Sequence, residues 1–375
     1  MHICIDARAY NWTGIGRYIR SLLIALAHAD TEHKFSVLIP KGAERAFSVL
    51  APLPSPQFSL IPVDGSYYSW REQVLLPLEL SRIDADVFHF THFNVPMMFH
   101  RPYVVTVHDV TRFFFPGETR PSLFRQLAYE RVFSNAVARA KHVVFVSRAT
   151  EQDFDALGFM VRKASRSVIP EAVDVRFFEP ALHKELEKIP MLLGTHDPYL
   201  LFVGVWMSHK NIDRLLIAFS LLREKYPEYK LVITGKPKPG YRNITDKVRE
   251  MGLENAVIFP GFVSHELLSA LYARASVFMF PSLYEGFGLP PLEAMAAGVP
   301  VVSSNVSSMP EVLGDAAWYV NPEDPQDIAR GIEDVLSDDL LRERLVDAGH
   351  IRARGFSWDV VASEHLRVYE QQGKL

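Results

Sequence analysis

The sequence predicts an α/β protein made of two domains, each built on a parallel sheet. Three observations carry that prediction. Short apolar runs alternate with amphipathic stretches along the whole chain, the runs fall into two series, and a segment without clean periodicity separates the series. A length of 375 residues exceeds one usual domain. A hydrophobic content of 48% with 22% charged residues describes a chain that buries a substantial core.

The first series of strand-like runs is "HICI" (2–5), "KFSVLI" (34–39), "DVFHF" (86–90), "YVVTV" (103–107) and "HVVFV" (142–146). Then comes "EPALHKELEKIPMLLGTHDP" (179–198), which mixes charges with three prolines and reads as a connector. The second series is "YLLFV" (199–203), "KLVIT" (230–234), "AVIFP" (256–260), "SVFMF" (276–280) and "VPVV" (299–302). The chain therefore divides into a domain over 1–180, a linker over 181–197 and a domain over 198–355. The last stretch, 356–375, starts at a capping Ser357 and is expected to pack back on the first domain.

A net charge of −4 and a pI near 6.4 give no global reason to expect a nucleic-acid partner. The single cysteine, Cys4, excludes an internal disulfide framework and fits a reducing compartment. "MHICIDARAY" has no basic leader region, and no apolar run approaches the roughly 20 residues of a spanning helix. The chain is expected in the cytosol, at most bound to a membrane surface. Fourteen histidines show no paired spacing such as HExxH, and the Asp-x-Asp at 84–86 opens a strand rather than ending one, so no metal is expected.

In open α/β sheets ligands bind beyond the carboxyl ends of the strands, which makes the residues after each run informative. In the first domain these are Asp6 and Arg8, then Thr91, His92 and Asn94, then His108 and Asp109. In the second they are Gly204, Gly235 with Lys236, Gly261, Ser282 to Glu285, and Ser303 with Ser304. Two such edges facing one another would form a ligand cleft.

The densest of these segments is "PSLYEGFGLPPLEAMAAGVPVV" (281–302), where Glu285 and Glu293 bracket an uncharged Gly/Pro turn. Pro290 and Pro291 mark the first turn of a helix, because proline lacks only an N–H that a helix start does not need. The amides of Phe287, Gly288 and Leu289 then lie at the positive end of the helix dipole, a ready phosphate site. Ionised glutamates on either side would accept hydrogen bonds from sugar hydroxyls, so the layout has the shape of a nucleotide sugar. Taken singly, Glu293 could equally complement the dipole and Glu285 be a solvated charge.

These residues resemble the retaining GT-B glycosyltransferases, in the large group that includes bacterial O-antigen and capsule mannosyltransferases. The resemblance is carried by "PSLYEGFGLPPLEAMAAGVPVVSSNVSSMPEVLGDAA" (281–317), with its Glu, seven residues, Glu pattern, and runs through "LFVGVWMSHKNIDRLLIAF" (201–219), "VIFPGFVSHELLSALYARA" (257–275), "VHDV" (107–110), "FVSRATEQDF" (145–154) and "TGIGRYIRSLL" (13–23). It implies two Rossmann-like domains facing across a cleft and transfer of a hexose, mannose from GDP-mannose, to a saccharide or polyprenyl-diphosphate-linked acceptor, with no metal cofactor. It assigns the ribose to Glu293, the hexose to Glu285, and the diphosphate and sugar to Gly286, Phe287, Gly288 and Leu289. Lys210 would neutralise the leaving diphosphate, and Phe262 and Val263 of "PGFVS" would face the base. Relatives carry an arginine after the glycine matching Gly204 or before the lysine. Here Val205 and His209 stand there, so diphosphate binding would lean on Lys210 and backbone amides, with His209 assisting if protonated and Lys236 either a further cation or a surface lysine. His108 matches the histidine near the reacting carbon, with Asp109 fixing its orientation, while His92 and Asn94 line the acceptor side. Gly14 and Gly16 would let backbone approach phosphate or sugar, or simply form a tight turn.

Within 112–141, Arg112, Arg120, Arg125, Arg131, Arg139 and Lys141 mix with aromatic residues against only Glu118 and Glu130, and "VPMMF" (95–99) adds apolar bulk nearby. Such a surface suits anionic lipid; a core-facing helix with a solvated basic face is the alternative. Other nucleotide-sugar enzymes, such as a synthase or an epimerase, and a non-catalytic nucleotide-sugar scaffold share the same donor motif.

Overall fold

The computed structural model describes residues 1–53, 56–116, 123–161, 165–237 and 244–373. It contains two all-parallel sheets. The first has seven strands, β1 (His2–Asp6), β2 (Lys34–Pro40), β3 (Phe58–Val63), β4 (Val87–Phe90), β5 (Tyr103–Val107), β6 (His142–Phe145) and β7 (Arg166–Val168), in the order β3-β2-β1-β4-β5-β6-β7. The second has six, β8 (Tyr199–Val203), β9 (Lys230–Thr234), β10 (Val257–Gly261), β11 (Val277–Phe280), β12 (Val301–Ser304) and β13 (Trp318–Val320), in the order β10-β9-β8-β11-β12-β13. All ten expected runs form strands. The three additional strands, β3, β7 and β13, all lie at sheet edges. Two have only three residues, and the third, "FSLIPV", carries Pro62 and a half-exposed pattern, so none produces a buried apolar run.

Both sheets reverse strand order at one place, between β1 and β4 and between β8 and β11. Here consecutive crossovers leave in opposite directions, opening a crevice at the carboxyl ends. The strands beneath are buried over most of their length, β1 through Ile3, Cys4 and Ile5, and β11 through Val277, Phe278, Met279 and Phe280.

Taking described residues only, one compact unit comprises Met1–Val110, Pro121–Ala172 and Ser357–Leu375, and the other Thr111–Arg120 and Val173–Phe356. Residues 181–197, read from sequence as a linker, carry the short helices His183–Leu186 and Lys188–Leu193, whose Ile189 and Leu193 are buried in the second unit. Their spacing is too short to display a helical period.

The C-terminal helix, Trp358–Gly373, packs on the helix Gly14–His28 and on β4 and β5 of the first unit. A buried chain of hydrogen bonds fixes it, and the partners set every proton. His365 Nδ1 donates to the Val361 carbonyl (2.8 Å), so its Nε2 accepts from Tyr18 Oη (2.8 Å). Tyr18 Oη then accepts from Thr106 Oγ1 (3.2 Å), Thr106 Oγ1 from His89 Nε2 (2.8 Å), and His89 Nδ1 from Tyr369 Oη (2.7 Å). Both histidines are neutral in this arrangement. Burial pushes His365 down to about 4 and His89 well below its ordinary value.

Segment 112–141 forms the helices Thr111–Phe114 and Leu123–Arg139, with Glu118 and Arg120 outside the described residues. Leu123, Phe124 and Leu127 are exposed, while Phe133 is buried. In "VPMMF" only Met98 is strongly exposed; Val95 and Phe99 are core residues, which corrects the expectation of an apolar surface there.

Candidate functional site

At the reversal of the second sheet, the segment after β8 and the segment after β11 are tied together. A 3-10 turn, Ser208–Lys210, ends at Asn211, whose backbone is left-handed (φ 60°), a conformation asparagine tolerates. Asn211 Nδ2 donates to the carbonyls of Pro281 (2.9 Å) and Pro322 (2.6 Å), and Leu283 N donates to the His209 carbonyl (2.7 Å). These bonds bring Lys210 to Glu285, with Nζ to Oε1 at 2.5 Å. The ammonium also lies 5.3 Å from the centre of the Phe280 ring. The two residues assigned to diphosphate and hexose thus hold each other directly. His209 is buried.

The loop 281–288 is held from β12's far side. Ser307 Oγ accepts from the Glu285 amide (3.1 Å) and donates to the Glu285 carbonyl (2.7 Å), and Ser308 Oγ lies 2.9 Å from that carbonyl and 3.0 Å from the Phe287 carbonyl. Gly288 enters the helix Leu289–Ala296 with φ 103°, a left-handed backbone that favours glycine, and a Cβ there would also displace the Met309 side chain, whose Cε would lie at 2.3 Å. Pro290 and Pro291 occupy the first turn. Among the described residues, the Phe287, Gly288 and Leu289 amides have no acceptor. Glu293, on the same helix, is buried and accepts from Tyr272 Oη at 3.1 Å.

The β8 and β9 ends approach closely. A Cβ on Gly235 would lie 1.9 Å from the Gly204 carbonyl oxygen, and Gly204 itself borders the Lys210 side chain. Lys236 lies over the Phe262 ring, 5.3 Å from its centre; Phe262 is exposed and Val263 partly so.

The first sheet's edge is built differently. Arg8 is buried, with Nε at 2.9 Å from Asp6 Oδ1, Nη2 at 2.7 Å from Asp6 Oδ2 and 3.1 Å from Glu72 Oε1, and Nη1 at 2.6 Å from the Gly65 carbonyl. Burial raises Glu72, against the pull of Arg8. His92 and Asn94, expected to line an acceptor pocket, are both buried. Asn94 Nδ2 donates to Glu72 Oε2 (3.0 Å), and burial pushes His92 down to about 3. His108 Nε2 faces the Thr91 carbonyl (2.9 Å) and therefore carries a proton, while Nδ1 faces Glu171 Oε1 (2.9 Å). Tyr18 stands edge-on to the ring at 4.7 Å. Glu171 and Thr91, rather than Asp109, orient His108. Gly16 is explained by packing, since a Cβ would lie 2.6 Å from the Tyr10 carbonyl oxygen; Gly14 faces open space.

Two families match the chain in succession: "Glycosyltransferase Family 4" over residues 12–177 and "Glycosyl transferases group 1" over 184–352. O-antigen chain mannosyltransferase B of Escherichia coli is 33% identical over 76% of this chain and 74% of its own length. The chain belongs to this family of glycosyltransferases. The serotype-specific mannosyltransferase WbdA of Escherichia coli is 39% identical over 98% of this chain, which spans only 47% of that longer protein. Among solved structures, Anabaena HepE in complex with UDP and glucose aligns over 99% of this chain and all (100%) of its own, with a TM-score of 0.77 at 18% identity. That likeness gives the glycosyltransferase the GT-B α/β fold.

Sequence reading missed Ser307, Ser308, Asn211 and Glu171. Asn211 has a local signal, an asparagine directly before a helix. The two serines and Glu171 act only through partners far along the chain, and no local pattern marks them.

Proposed function

We propose that the protein is a retaining hexosyltransferase that moves mannose from GDP-mannose to a glycan or lipid-linked saccharide in polysaccharide synthesis. The observation that carries this reading is the convergence of Lys210, Glu285 and the open amides 287–289 at one helix start. Cation and amides suit a diphosphate, and the carboxylates suit hydroxyls beside it. The choice of mannose draws on the two mannosyltransferase relatives. Glu293 binds ribose, and Glu285 binds the hexose. Gly204 leaves room beside Lys210, and Lys236 and Phe262 flank the nucleotide end. In the reaction the bond from the anomeric carbon to the diphosphate oxygen breaks while the acceptor oxygen bonds on the same face. The acceptor proton passes to the departing diphosphate, whose charge Lys210 and the helix-start amides stabilise. His108, with both ring nitrogens held by Thr91 and Glu171, is assigned to the sugar end by the family resemblance alone. Leu123, Phe124 and Leu127 with Arg125 and Arg131 rest on anionic lipid beside a lipid-linked acceptor.

A thermal-shift panel of nucleotide sugars tests the donor. GDP-mannose at about 100 times its Kd should stabilise the fold by about 2.7 kcal/mol. Stabilisation by UDP-glucose instead would overturn the choice of base and sugar, and an inverted anomeric product by NMR would overturn retention. Flotation with phosphatidylglycerol liposomes should show salt-sensitive binding that Phe124→Ser abolishes; absence of binding removes the membrane contact.

A further inference from the structure

The Lys210–Glu285 pair occupies the two groups that the donor needs, and this has a consequence for what the site will hold. Both side chains are mostly buried, 14% and 12% exposed, at an Nζ to Oε1 distance of 2.5 Å. Their backbones are held close to one another. The Glu285 backbone is bonded at its amide and its carbonyl by Ser307, and the turn carrying Lys210 is tied to the same loop through Asn211 and Leu283. Among the described residues, Glu285 is the carboxylate paired with Lys210. An anion that draws Lys210 away therefore leaves a mostly buried carboxylate without its counter-charge, which is costly.

We infer that Glu285 makes the site select a nucleotide sugar over a bare nucleoside diphosphate by exchanging partners with Lys210. A nucleotide sugar takes Lys210 with its diphosphate and offers Glu285 hydroxyl donors in return, so both charges stay satisfied. A nucleoside diphosphate takes Lys210 and offers Glu285 nothing. Once the sugar has been transferred, Glu285 loses its hydroxyl partners and competes again for Lys210, which weakens the hold on the spent diphosphate. Selection for a live donor and release of the product are then one electrostatic exchange. The inference rests on the proposed donor reading.

Calorimetric titration of the full chain with GDP, GDP-mannose and inorganic pyrophosphate tests it. In the wild type, GDP-mannose should bind more tightly than GDP. Glu285→Gln removes the competing charge, so GDP and pyrophosphate should bind about fivefold more tightly and GDP-mannose more weakly, reversing the order. In a Lys210→Gln background the same change should leave GDP affinity unaltered, because the exchange partner is gone. Equal or weaker GDP binding by Glu285→Gln overturns the exchange, as does the same tightening without Lys210, which would mark a general charge effect. The wild-type order stands as a check even if a variant unfolds: GDP binding more tightly than GDP-mannose also counts against the inference. Failure of GDP, GDP-mannose and pyrophosphate to bind the wild type removes the donor reading itself.

Discussion

The two sheet edges share one topology and differ in how their polar groups are satisfied. At the β1/β4 reversal, Asp6, Arg8, Glu72 and Asn94 bond to one another inside the unit, and both ring nitrogens of His108 have partners. At the β8/β11 reversal, a lysine and a glutamate form a pair that remains partly exposed, and among the described residues the 287–289 amides have no acceptor. The first edge is bonded chiefly within itself, with Glu72 Oε1 and Asn94 Oδ1 left without hydrogen-bond partners among the described residues, whereas the second is unfinished along its backbone, at the 287–289 amides. A reversal of strand order creates the crevice; whether the crevice asks for a ligand depends on the loops that line it.

Acid should separate the two units most strongly. The first unit buries neutral histidines: His365 and His142 are pushed down to about 4, His92 to about 3, and His89 well below the ordinary value of 6.5, each mainly by burial. Their folded forms refuse a proton that the unfolded chain takes near 6.5. The stability they contribute is complete above that pH and is lost as pH falls from about 6.5 to 4, at about 3 kcal/mol for His365 alone. In the second unit, burial would raise Asp174, but the His265 ring 3.5 Å away and hydrogen bonds from Arg176 hold it well below the usual carboxylate range. Its contribution survives until pH drops under the ordinary carboxylate value of about 4. Hydrogen exchange by mass spectrometry, corrected for intrinsic rates, should show Trp358–Gly373 and β4–β5 losing protection between pH 6.5 and 4.5 while β8 and β11 keep theirs. Simultaneous loss in both units would erase this contrast.

The same difference explains what was legible in the sequence. The strands that form the middle of each sheet are readable because burial on both faces demands continuous apolar runs, as in "YVVTV" and "VFMF". Edge strands escape that demand, so "RSV" and "WYV" present no buried apolar run. At the second edge Lys210, Glu285 and Glu293 stand within short motifs whose glycines and prolines announce their own geometry. The Lys210–Glu285 contact itself spans 75 positions and leaves no trace in either motif. At the first edge His108 is legible as a strand-end histidine, but Glu171, 63 residues away, is not. Burial of His92 and Asn94 depends on a whole network closing around them, which spacing does not encode.

A smaller perturbation probes the unfinished edge from behind. Ser308 is fully buried, and its hydroxyl lies within hydrogen-bond distance of the carbonyls of Glu285 and Phe287. Ser308→Ala leaves the Phe287 carbonyl without this partner, while Glu285 keeps its bonds to Ser307. The cost should be about 1 kcal/mol in denaturant unfolding. Because the lost bonds fix the loop that presents the 287–289 amides, GDP-mannose affinity should fall several-fold by calorimetry, and the pH response of the first unit should not change. A stability loss with unchanged donor affinity would mean that Ser307 and Gly288 alone hold the amides in place, and that the second edge is as self-sufficient as the first.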